Sequence, residues 1–142
     1  MIILDTNVIS EIMRPEPNVG VKDWLAARNP LDLAVTSITI AEIQRGILRL
    51  PKGRRRKGLE DRFSAFIKAS FTNRLLAFNE AAAYACGETS ARREQKGLHA
   101  DAVDMMIAGI AASTKASLAT RNTRDFEECG IPLINPWRPE RR

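Results

Sequence analysis

The sequence predicts an α/β fold: a sandwich in which helices flank a mostly parallel central sheet. Short apolar runs alternate along the chain with longer stretches in which apolar residues recur at helical spacing. Strands separated by helices in this way pair in parallel and are covered on both faces. No linker or low-complexity segment divides the 142 residues, so we expect a single domain over residues 1–142.

The first apolar run covers residues 1–4 and stops abruptly at Asp5-Thr6-Asn7, which is typical of a buried strand followed by a helix cap. Prolines and the Asn29-Pro30 pair end the first two helices. After the first strand we expect further strands at 31–36, 74–78, 117–120 and 131–134. Helices are expected from Val8 to Pro15, at about 18–28, from Thr39, from the basic block 54–57, at 79–95, at 101–114 and, briefly, at 123–128.

The composition, 44% hydrophobic and 27% charged, is typical of a soluble globular protein. The longest apolar run, Met105 to Ala112, has eight residues, far fewer than the roughly 18 that a membrane helix needs. The first residues lack the pattern of a signal peptide, so we expect a cytoplasmic protein. Cys86 and Cys129 form neither a metal-binding spacing nor a disulfide framework, and we expect both to be reduced thiols.

The chain is basic, with a net charge of +5, and a basic protein favours polyanionic partners. The excess is concentrated in three groups, and any one of them alone is more typical of a solvated face than of a binding site. The groups are Arg54, Arg55, Arg56 and Lys57; Arg92, Arg93 and Lys96; and Arg138, Arg141 and Arg142.

Four carboxylates are the candidate site residues, although each also has a purely structural explanation. Asp5 would cap the first helix, and Glu42 would complete a capping box that begins at Thr39. Asp104 lies in the first turn of its helix, where a negative charge suits the helix dipole. Asp125 follows Asn122 by three residues, again a spacing typical of a cap.

Their joint placement indicates more than four caps, because ligands of open α/β sheets bind beyond the carboxyl ends of the parallel strands. Asp5, Glu42 and Asp125 each follow a predicted strand. Asp104 opens the helix that leads into the strand at 117–120, and strand direction alone would place it at the opposite edge. We therefore expect Asp104 to join the others only if its side chain projects inward as the helix crosses the sheet. The small residues Ala108 and Ala111, one and two turns later, would allow the helix to approach closely.

Gathered carboxylates repel one another and raise each other's pKa, and a bound divalent cation removes that penalty. Sites made only of oxygen ligands suit Mg²⁺ or Mn²⁺. A single histidine, His99, and two unpaired cysteines argue against zinc and against catalysis by a histidine triad. An acidic cluster in a basic protein therefore indicates metal-assisted attack on a phosphodiester.

Four motifs appear in the order found in PIN domains: LDTN at 4–7, TIAEIQRG at 39–46, DMMIA at 104–108 and TRNTRDF at 120–126. Over nearly its whole length the chain resembles the VapC-type toxins of type II toxin–antitoxin systems, in the FitB-like branch. The NPW sequence near the end and the RPEP after the first helix also resemble that branch. The resemblance implies a PIN-like α/β/α sandwich.

The resemblance also implies roles for the matching residues. Asp5 and Asp104 would be the principal ligands of Mg²⁺ or Mn²⁺, with Glu42 and Asp125 completing the acidic pocket directly or through water. Asp101 would be a cap or rim residue. The metal, its waters or the scissile phosphate would be positioned by Thr6, Asn7, Thr120 and Arg121. From its charge, rather than from the resemblance, we expect the basic block at Arg54, Arg55, Arg56 and Lys57 to hold RNA phosphates or to face a protein partner.

The function these observations favour is endonucleolytic cleavage of RNA by a metal-activated water, with tRNA among the candidate substrates. The family resemblance implies that the chain forms a homodimer, or a dimer of heterodimers with a small antitoxin protein. It also implies that the antitoxin inhibits the nuclease by inserting a segment, often with an arginine, into the acidic pocket.

Two other functions compete with this one. An aspartyl-nucleophile phosphohydrolase on a similar fold usually has a second Asp two residues after the first, where this chain has Asn7. A non-catalytic RNA-binding or interaction module would need the basic groups but not four acids, and 6% aromatic residues supply few surfaces for base stacking.

Overall fold

The computed structural model of the protein describes residues 1–138, which form a five-stranded sheet in the order β3-β2-β1-β4-β5. Each pairing between these strands is parallel. The strands are β1 (Ile2–Leu4), β2 (Leu33–Thr36), β3 (Leu75–Leu76), β4 (Ser117–Ala119) and β5 (Leu133–Ile134); the helices are α1 (Thr6–Ile12), α2 (Val19–Ala26), α3 (Ser37–Leu48), α4 (Arg54–Ser70), α5 (Glu80–Gln95) and α6 (Ala102–Thr114).

Two hydrophobic cores, one on each face of the sheet, follow from the alternation of side chains along the strands. In β1, Ile3 belongs to a core shared with α5 and α6. The next residue, Leu4, belongs to a second core shared with the four helices from α1 to α4. Both side chains are almost completely buried. The sheet is therefore covered on both faces, which confirms the predicted α/β/α sandwich.

Helices α5 and α6 pack closely at Gly109. A Cβ atom at this position would lie 2.4 Å from the carbonyl oxygen of Ala82 and 2.8 Å from the backbone nitrogen of Cys86. Such distances are far below van der Waals contact, so only glycine allows the two helix backbones to approach this closely. The fixed position of α6 matters for the site, because Asp104 lies in its first turn.

Arg93 is a buried arginine in α5, with only 4% of its surface exposed. Its guanidinium donates to three backbone carbonyl oxygens: those of His99 at 2.8 Å, Arg124 at 3.2 Å and Glu127 at 2.7 Å. Nearby, Lys96 forms an ion pair with Glu128 at 2.6 Å. The prediction that 92, 93 and 96 form a basic surface group is therefore wrong for Arg93, whose charge ties a loop to the helix.

Several predicted element boundaries are also wrong, for local reasons. The strand expected at 31–36 begins only at Leu33, because Pro30–Asp32 forms a 3-10 turn capped by the side chain of Asn29. The first helix begins at Thr6 rather than Val8, since Asp5 is its cap. The helix expected at 123–128 is a 3-10 turn, Thr123–Phe126.

Two further predictions concern the cysteines, expected to be reduced thiols, and the apolar runs, expected to be too short for a membrane helix. Cys86 and Cys129 are both free thiols. Within residues 1–138, every helix is too short or too polar to cross a membrane.

Candidate active site

A cavity of about 540 Å³ opens at the carboxyl edge of the sheet, where β1 ends and α1 begins. It brings together three of the four predicted acids, one from each of three separate segments of the chain. The lining residues are Asp5, Thr6, Asn7, Ser10, Glu11, Arg14, Glu42, Asp104, Arg121, Asn122 and Trp137.

Asp5 is the most deeply placed of these acids, with 5% of its surface exposed. As the cap of α1, it accepts a hydrogen bond on Oδ1 from the backbone N–H of Thr6 at 2.8 Å, and a second on Oδ2 from the Thr120 hydroxyl at 2.8 Å. Burial raises the pKa of Asp5, the two hydrogen bonds oppose that rise, and the charges of Glu42 and Asp125 add to it. The carboxylate is thus fixed in orientation and held in an environment that favours a cation beside it.

Thr120 and Asn7 join the end of β4 to the start of α1. The fully buried Thr120 hydroxyl accepts from the Asn7 side-chain amide at 3.3 Å and from the backbone N–H of Asn122 at 3.1 Å. The Asn7 side-chain oxygen accepts from the backbone N–H of Arg121 at 3.2 Å. These polar residues therefore fix the distance between two of the segments that form the cavity.

Glu42 does not complete the predicted capping box. Thr36, not Thr39, caps α3, and its hydroxyl accepts from the backbone N–H of Thr39 at 3.1 Å. Glu42 instead accepts a 2.6 Å hydrogen bond from the hydroxyl of Thr6, which also lies 3.0 Å from the hydroxyl of Thr39. The Glu42 carboxylate is consequently part of the cavity wall.

Asp104 reaches the cavity because α6 runs antiparallel to β4. The helix ends at Thr114, immediately before β4 begins at Ser117, so its last turn lies at the amino edge of the sheet. Its 13 residues span about 20 Å, and this length carries the first turn to the carboxyl edge. The expectation that strand direction places Asp104 at the opposite edge is therefore wrong.

The surroundings of Asp104 favour its protonated form. Burial raises the pKa of Asp104 to about 7, with further contributions from the charges of Asp101, Asp5, Asp125 and Glu42. Asp101 caps α6, and its side chain accepts from the backbone N–H of Asp104 at 3.0 Å. The cap role predicted for Asp101 agrees with this hydrogen bond.

Asp125 differs from the other three acids because it is exposed and does not line the cavity. The cap-like spacing with Asn122 is not realised, since the Asn122 side chain makes no capping hydrogen bond within the described chain. Asp125 still acts on the cavity at a distance, because its charge contributes to the raised pKa values of Asp5 and Asp104.

Comparison with known proteins identifies the family. Residues 2–131 match the family model described as PIN domain. The chain belongs to the PIN domain family. This result, together with the relatives below, confirms the resemblance carried by the four motifs.

Three relatives cover almost the whole chain. It is 40% identical to the plasmid stability protein StbB of Pseudomonas syringae pv. tomato, over 96% of this chain and 99% of the relative. It is 34% identical to the VapC ribonuclease Y4jK of Sinorhizobium fredii, over 98% and 99%. It is 35% identical to the toxin FitB of Neisseria gonorrhoeae, over 96% and 99%. The crystal structure of FitAcB from Neisseria gonorrhoeae superposes with a TM-score of 0.91, at 35% identity over 96% of this chain and 99% of that one.

The donor set of this PIN domain suits a hydrated divalent cation. Among residues 1–138, no group of three or more Asp, Glu, His or Cys side chains is arranged to hold a metal ion. Mg²⁺, however, keeps several waters and is commonly held by one or two carboxylates together with substrate phosphates. Asp5 and Asp104 are two carboxylates in one cavity, and the pKa of each is raised by burial and by neighbouring negative charge. A cation there would relieve the repulsion.

The basic block at the start of α4 lies away from this cavity. Arg54, Arg55, Arg56 and Lys57 are largely exposed and none of them lines it, while Lys57 forms an ion pair with Asp61 at 3.0 Å. Arg121, by contrast, is part of the cavity wall. Arg141 and Arg142, the other members of the C-terminal basic group, lie outside the described residues.

Sequence reasoning missed Glu11 as a site residue of the PIN domain. Only 7% of Glu11 is exposed, and its carboxylate accepts from the Arg14 guanidinium at 3.1 Å and from the backbone N–H of Asn18 at 3.3 Å. A signal was present: Asn7, Ser10, Glu11 and Arg14 are polar and recur at helical spacing. That stripe is the face of α1 that lines the cavity.

Proposed function

We propose that the chain is a metal-dependent endoribonuclease that acts as the toxin of a toxin–antitoxin pair. The observation that carries the proposal is the convergence of Asp5, Glu42 and Asp104, from three separate segments, in one cavity. Relatives named as a VapC ribonuclease and as a toxin support it. The net charge of +5 favours a nucleic-acid substrate over a neutral one.

In this proposal Asp5 and Asp104 hold Mg²⁺ or Mn²⁺. When bound, such a cation lowers the pKa of a coordinated water and neutralises charge on the phosphodiester. Asp5 is oriented for the task by the N–H of Thr6 and the hydroxyl of Thr120. Asp104 must lose its proton before it can serve as a ligand, because its pKa is raised to about 7.

The other residues orient water and phosphate. Glu42, held by the Thr6 hydroxyl at 2.6 Å, positions the attacking water and accepts its proton. Asp125 contributes from the rim, through its charge and through water. Asn7 and Arg121, joined by a hydrogen bond from the Arg121 N–H to the Asn7 side-chain oxygen, position the scissile phosphate. The basic block at 54–57 contributes long-range attraction for RNA.

The proposed partner is a small antitoxin protein. The related FitAcB and the FitAB complex with a DNA fragment have structures that superpose on this chain with TM-scores of 0.91 and 0.93. A guanidinium from such a partner would pair with the cavity carboxylates and compete with cation and substrate. We propose that the chain forms a homodimer, or a dimer of heterodimers with the antitoxin. It would act in the cytoplasm, where its RNA substrate is found.

The decisive experiment compares cleavage of total RNA by the wild type, Asp5→Asn and Asp104→Asn, with the new RNA ends sequenced. We expect Mg²⁺-dependent cleavage that leaves 5′-phosphate and 3′-hydroxyl ends in the wild type, and none in either variant. Asp23→Asn is the matched control, because Asp23 is an exposed acid of α2 outside the cavity. Full cleavage by the Asn variants, or cleavage that persists in excess EDTA, would contradict the proposal.

The geometry is less suited to an aspartyl nucleophile. Such enzymes usually have a second Asp two residues after the first, and in this chain that position is Asn7, whose amide donates to Thr120. Covalent capture of a phosphoryl group on Asp5, detected by mass spectrometry, would favour that alternative.

A further inference from the structure

A second cavity, of about 360 Å³, adjoins the carboxylate cavity and has a different chemical character. Three of its six lining residues are arginines and none is acidic, in contrast to the neighbouring cavity with its acids. The lining residues are Arg121, Thr123, Arg124, Asn135, Trp137 and Arg138. Arg121 and Trp137 line both cavities and therefore form the wall between them.

Arg121 is held in that wall by Trp137. The centre of its guanidinium lies 5.2 Å from the centroid of the indole ring, within the range of a cation–π contact. The backbone at Trp137 is held in turn by Asn135, whose side-chain oxygen accepts from the backbone N–H of Trp137 at 3.0 Å. A cation–π contact does not use the N–H donors of the guanidinium, so Arg121 can still donate them to an anion.

The other two arginines are also placed by backbone contacts. The carbonyl oxygen of Arg124 accepts from the buried Arg93, and the backbone N–H of Arg138 donates to the carbonyl oxygen of Asn135 at 3.0 Å. Within residues 1–138, the ion pairs involve Arg14, Lys57 and Lys96, and none involves an arginine of this cavity. Three arginines therefore line one space, and among the described residues none of them is paired with a carboxylate.

Guanidinium groups arranged in this way bind phosphate, because the planar fork of N–H donors matches phosphate oxygens. We propose that this cavity binds a backbone phosphate of single-stranded RNA, next to the phosphodiester that is cleaved at the carboxylates. The proposal rests on the proposed ribonuclease function and extends it, since it gives the RNA strand a direction across the protein surface. A strand that crosses the Arg121–Trp137 wall would place successive phosphates in the two cavities.

The test is RNA binding measured apart from cleavage. All variants carry Asp5→Asn, and the probe is a short fluorescent single-stranded RNA of mixed sequence, titrated at several salt concentrations. We expect the double variant Arg124→Ala/Arg138→Ala to lose about tenfold in affinity for each guanidinium removed. The slope of log affinity against log salt should fall by about 0.7 for each phosphate that the variant no longer neutralises.

Two comparison variants make the result specific. Arg49→Ala/Arg62→Ala removes the same charge from exposed positions that line neither cavity, and it should change the affinity far less. Arg124→Lys/Arg138→Lys keeps the charge, so it should keep the salt slope while losing part of the affinity. Equal losses in the two alanine double variants would overturn the proposal, because the effect would then be one of net charge alone.

A cleavage arm separates this proposal from the proposed function. In the chain that retains Asp5, Arg124→Ala/Arg138→Ala should raise KM with little change in kcat. If the wild type cleaves no RNA, the ribonuclease proposal fails, while the binding titration still reports on the cavity. Polyglutamate serves as an acidic-peptide probe. If the alanine double variant loses polyglutamate binding but retains RNA binding, the cavity serves a protein partner and the RNA proposal is overturned.

Discussion

The hydroxyl of Thr120 donates a 2.8 Å hydrogen bond to Oδ2 of Asp5, joining two residues 115 positions apart in the sequence. The bond stabilises the charged form of a carboxylate whose pKa is otherwise raised by burial and by neighbouring acids. It also fixes one face of the carboxylate. Thr120 therefore sets both the charge and the direction of the most buried acid in the cavity.

Replacing Thr120 with Val should weaken both activity and stability. The hydroxyl stabilises ionised Asp5, so its loss should raise the pKa of Asp5 further and move the acid side of the pH–activity profile to higher pH. Cleavage at neutral pH should fall by about 10–100-fold, and unfolding free energy by about 1–3 kcal/mol. Thr120→Ser keeps the hydroxyl and is the control. Superimposable pH profiles for the Val and Ser variants would contradict the assignment.

Asp101→Asn should move the acid side of the pH–activity profile in the opposite direction. The charge of Asp101 is the largest contribution after burial to the raised pKa of Asp104. Asn is as good a helix cap as Asp, so the substitution removes the charge while α6 keeps its cap. Asp104 should then ionise at lower pH, and cleavage should persist to lower pH than in the wild type. An unshifted profile in a variant of unchanged stability would show that Asp101 does not act on Asp104.

Asp104→Asn should abolish cleavage yet stabilise the fold in the absence of divalent cations. Folded Asp104 has a pKa of about 7, above its unfolded value, so the folded chain binds this proton more tightly and loses stability as pH rises from about 4 to 7. The Asn variant lacks that loss, and its melting temperature at pH 8 should exceed the wild-type value by a few degrees. Melting curves at pH 5 and pH 8 check the sign, since the difference should shrink at pH 5.

Added Mg²⁺ should stabilise the wild-type protein but not the Asp104→Asn variant. A ligand that binds only the folded state raises its stability. The melting temperature of the wild type should therefore rise with Mg²⁺ concentration at pH 8, and that of Asp104→Asn should not. Equal responses would place the cation elsewhere on the chain.

Gly109→Ala should destabilise the protein by about 1–3 kcal/mol, as overpacking does. The new methyl group would meet the backbone of α5 at Ala82 and Cys86. Gly87 on α5 offers a matched control, since a Cβ atom there meets nothing within 4 Å. Gly87→Ala should stabilise by about 0.5–1 kcal/mol, because alanine costs less backbone entropy in a helix. Urea denaturation of both variants measures the change in unfolding free energy, which should be opposite in sign for the two substitutions.

The α/β/α architecture and the placement of Asp5 and Glu42 at the carboxyl edge could be predicted from the sequence, because both follow from the alternation of strands and helices. The cap at Asp5 and the cap at Asp101 were visible for the same reason. The role of Glu42 was not. Thr36 and Thr39 are equally good caps in the sequence, and only the end of β2 decides between them. Once Thr36 is chosen, Glu42 is too far along α3 to reach back to the cap.

Other features depended on tertiary structure. The placement of Asp104 required the direction of α6, which runs antiparallel to the strand that follows it. Asp125 follows a strand as predicted, yet the 3-10 turn leaves it exposed outside the cavity. Buried Glu11 accepts from the backbone N–H of Asn18, and buried Arg93 donates to three backbone carbonyls that lie beyond its own helix. No periodicity in the sequence reveals partners of that kind.

Because Arg93 is held by backbone carbonyls, position 93 and the positions that supply the carbonyls should differ in how well they tolerate substitution. Backbone oxygens are the same whatever the side chain, so residues 99, 124 and 127 can change while they still hold the guanidinium. Position 93 has no such freedom, because no other side chain supplies a planar set of N–H donors of that reach. A screen for inactive variants should therefore recover substitutions at position 93 together with those at the carboxylates, although Arg93 lines neither cavity. Among homologous sequences, an invariant arginine here would mark how the loop is anchored, and positions 99 and 127, which face it, could diverge.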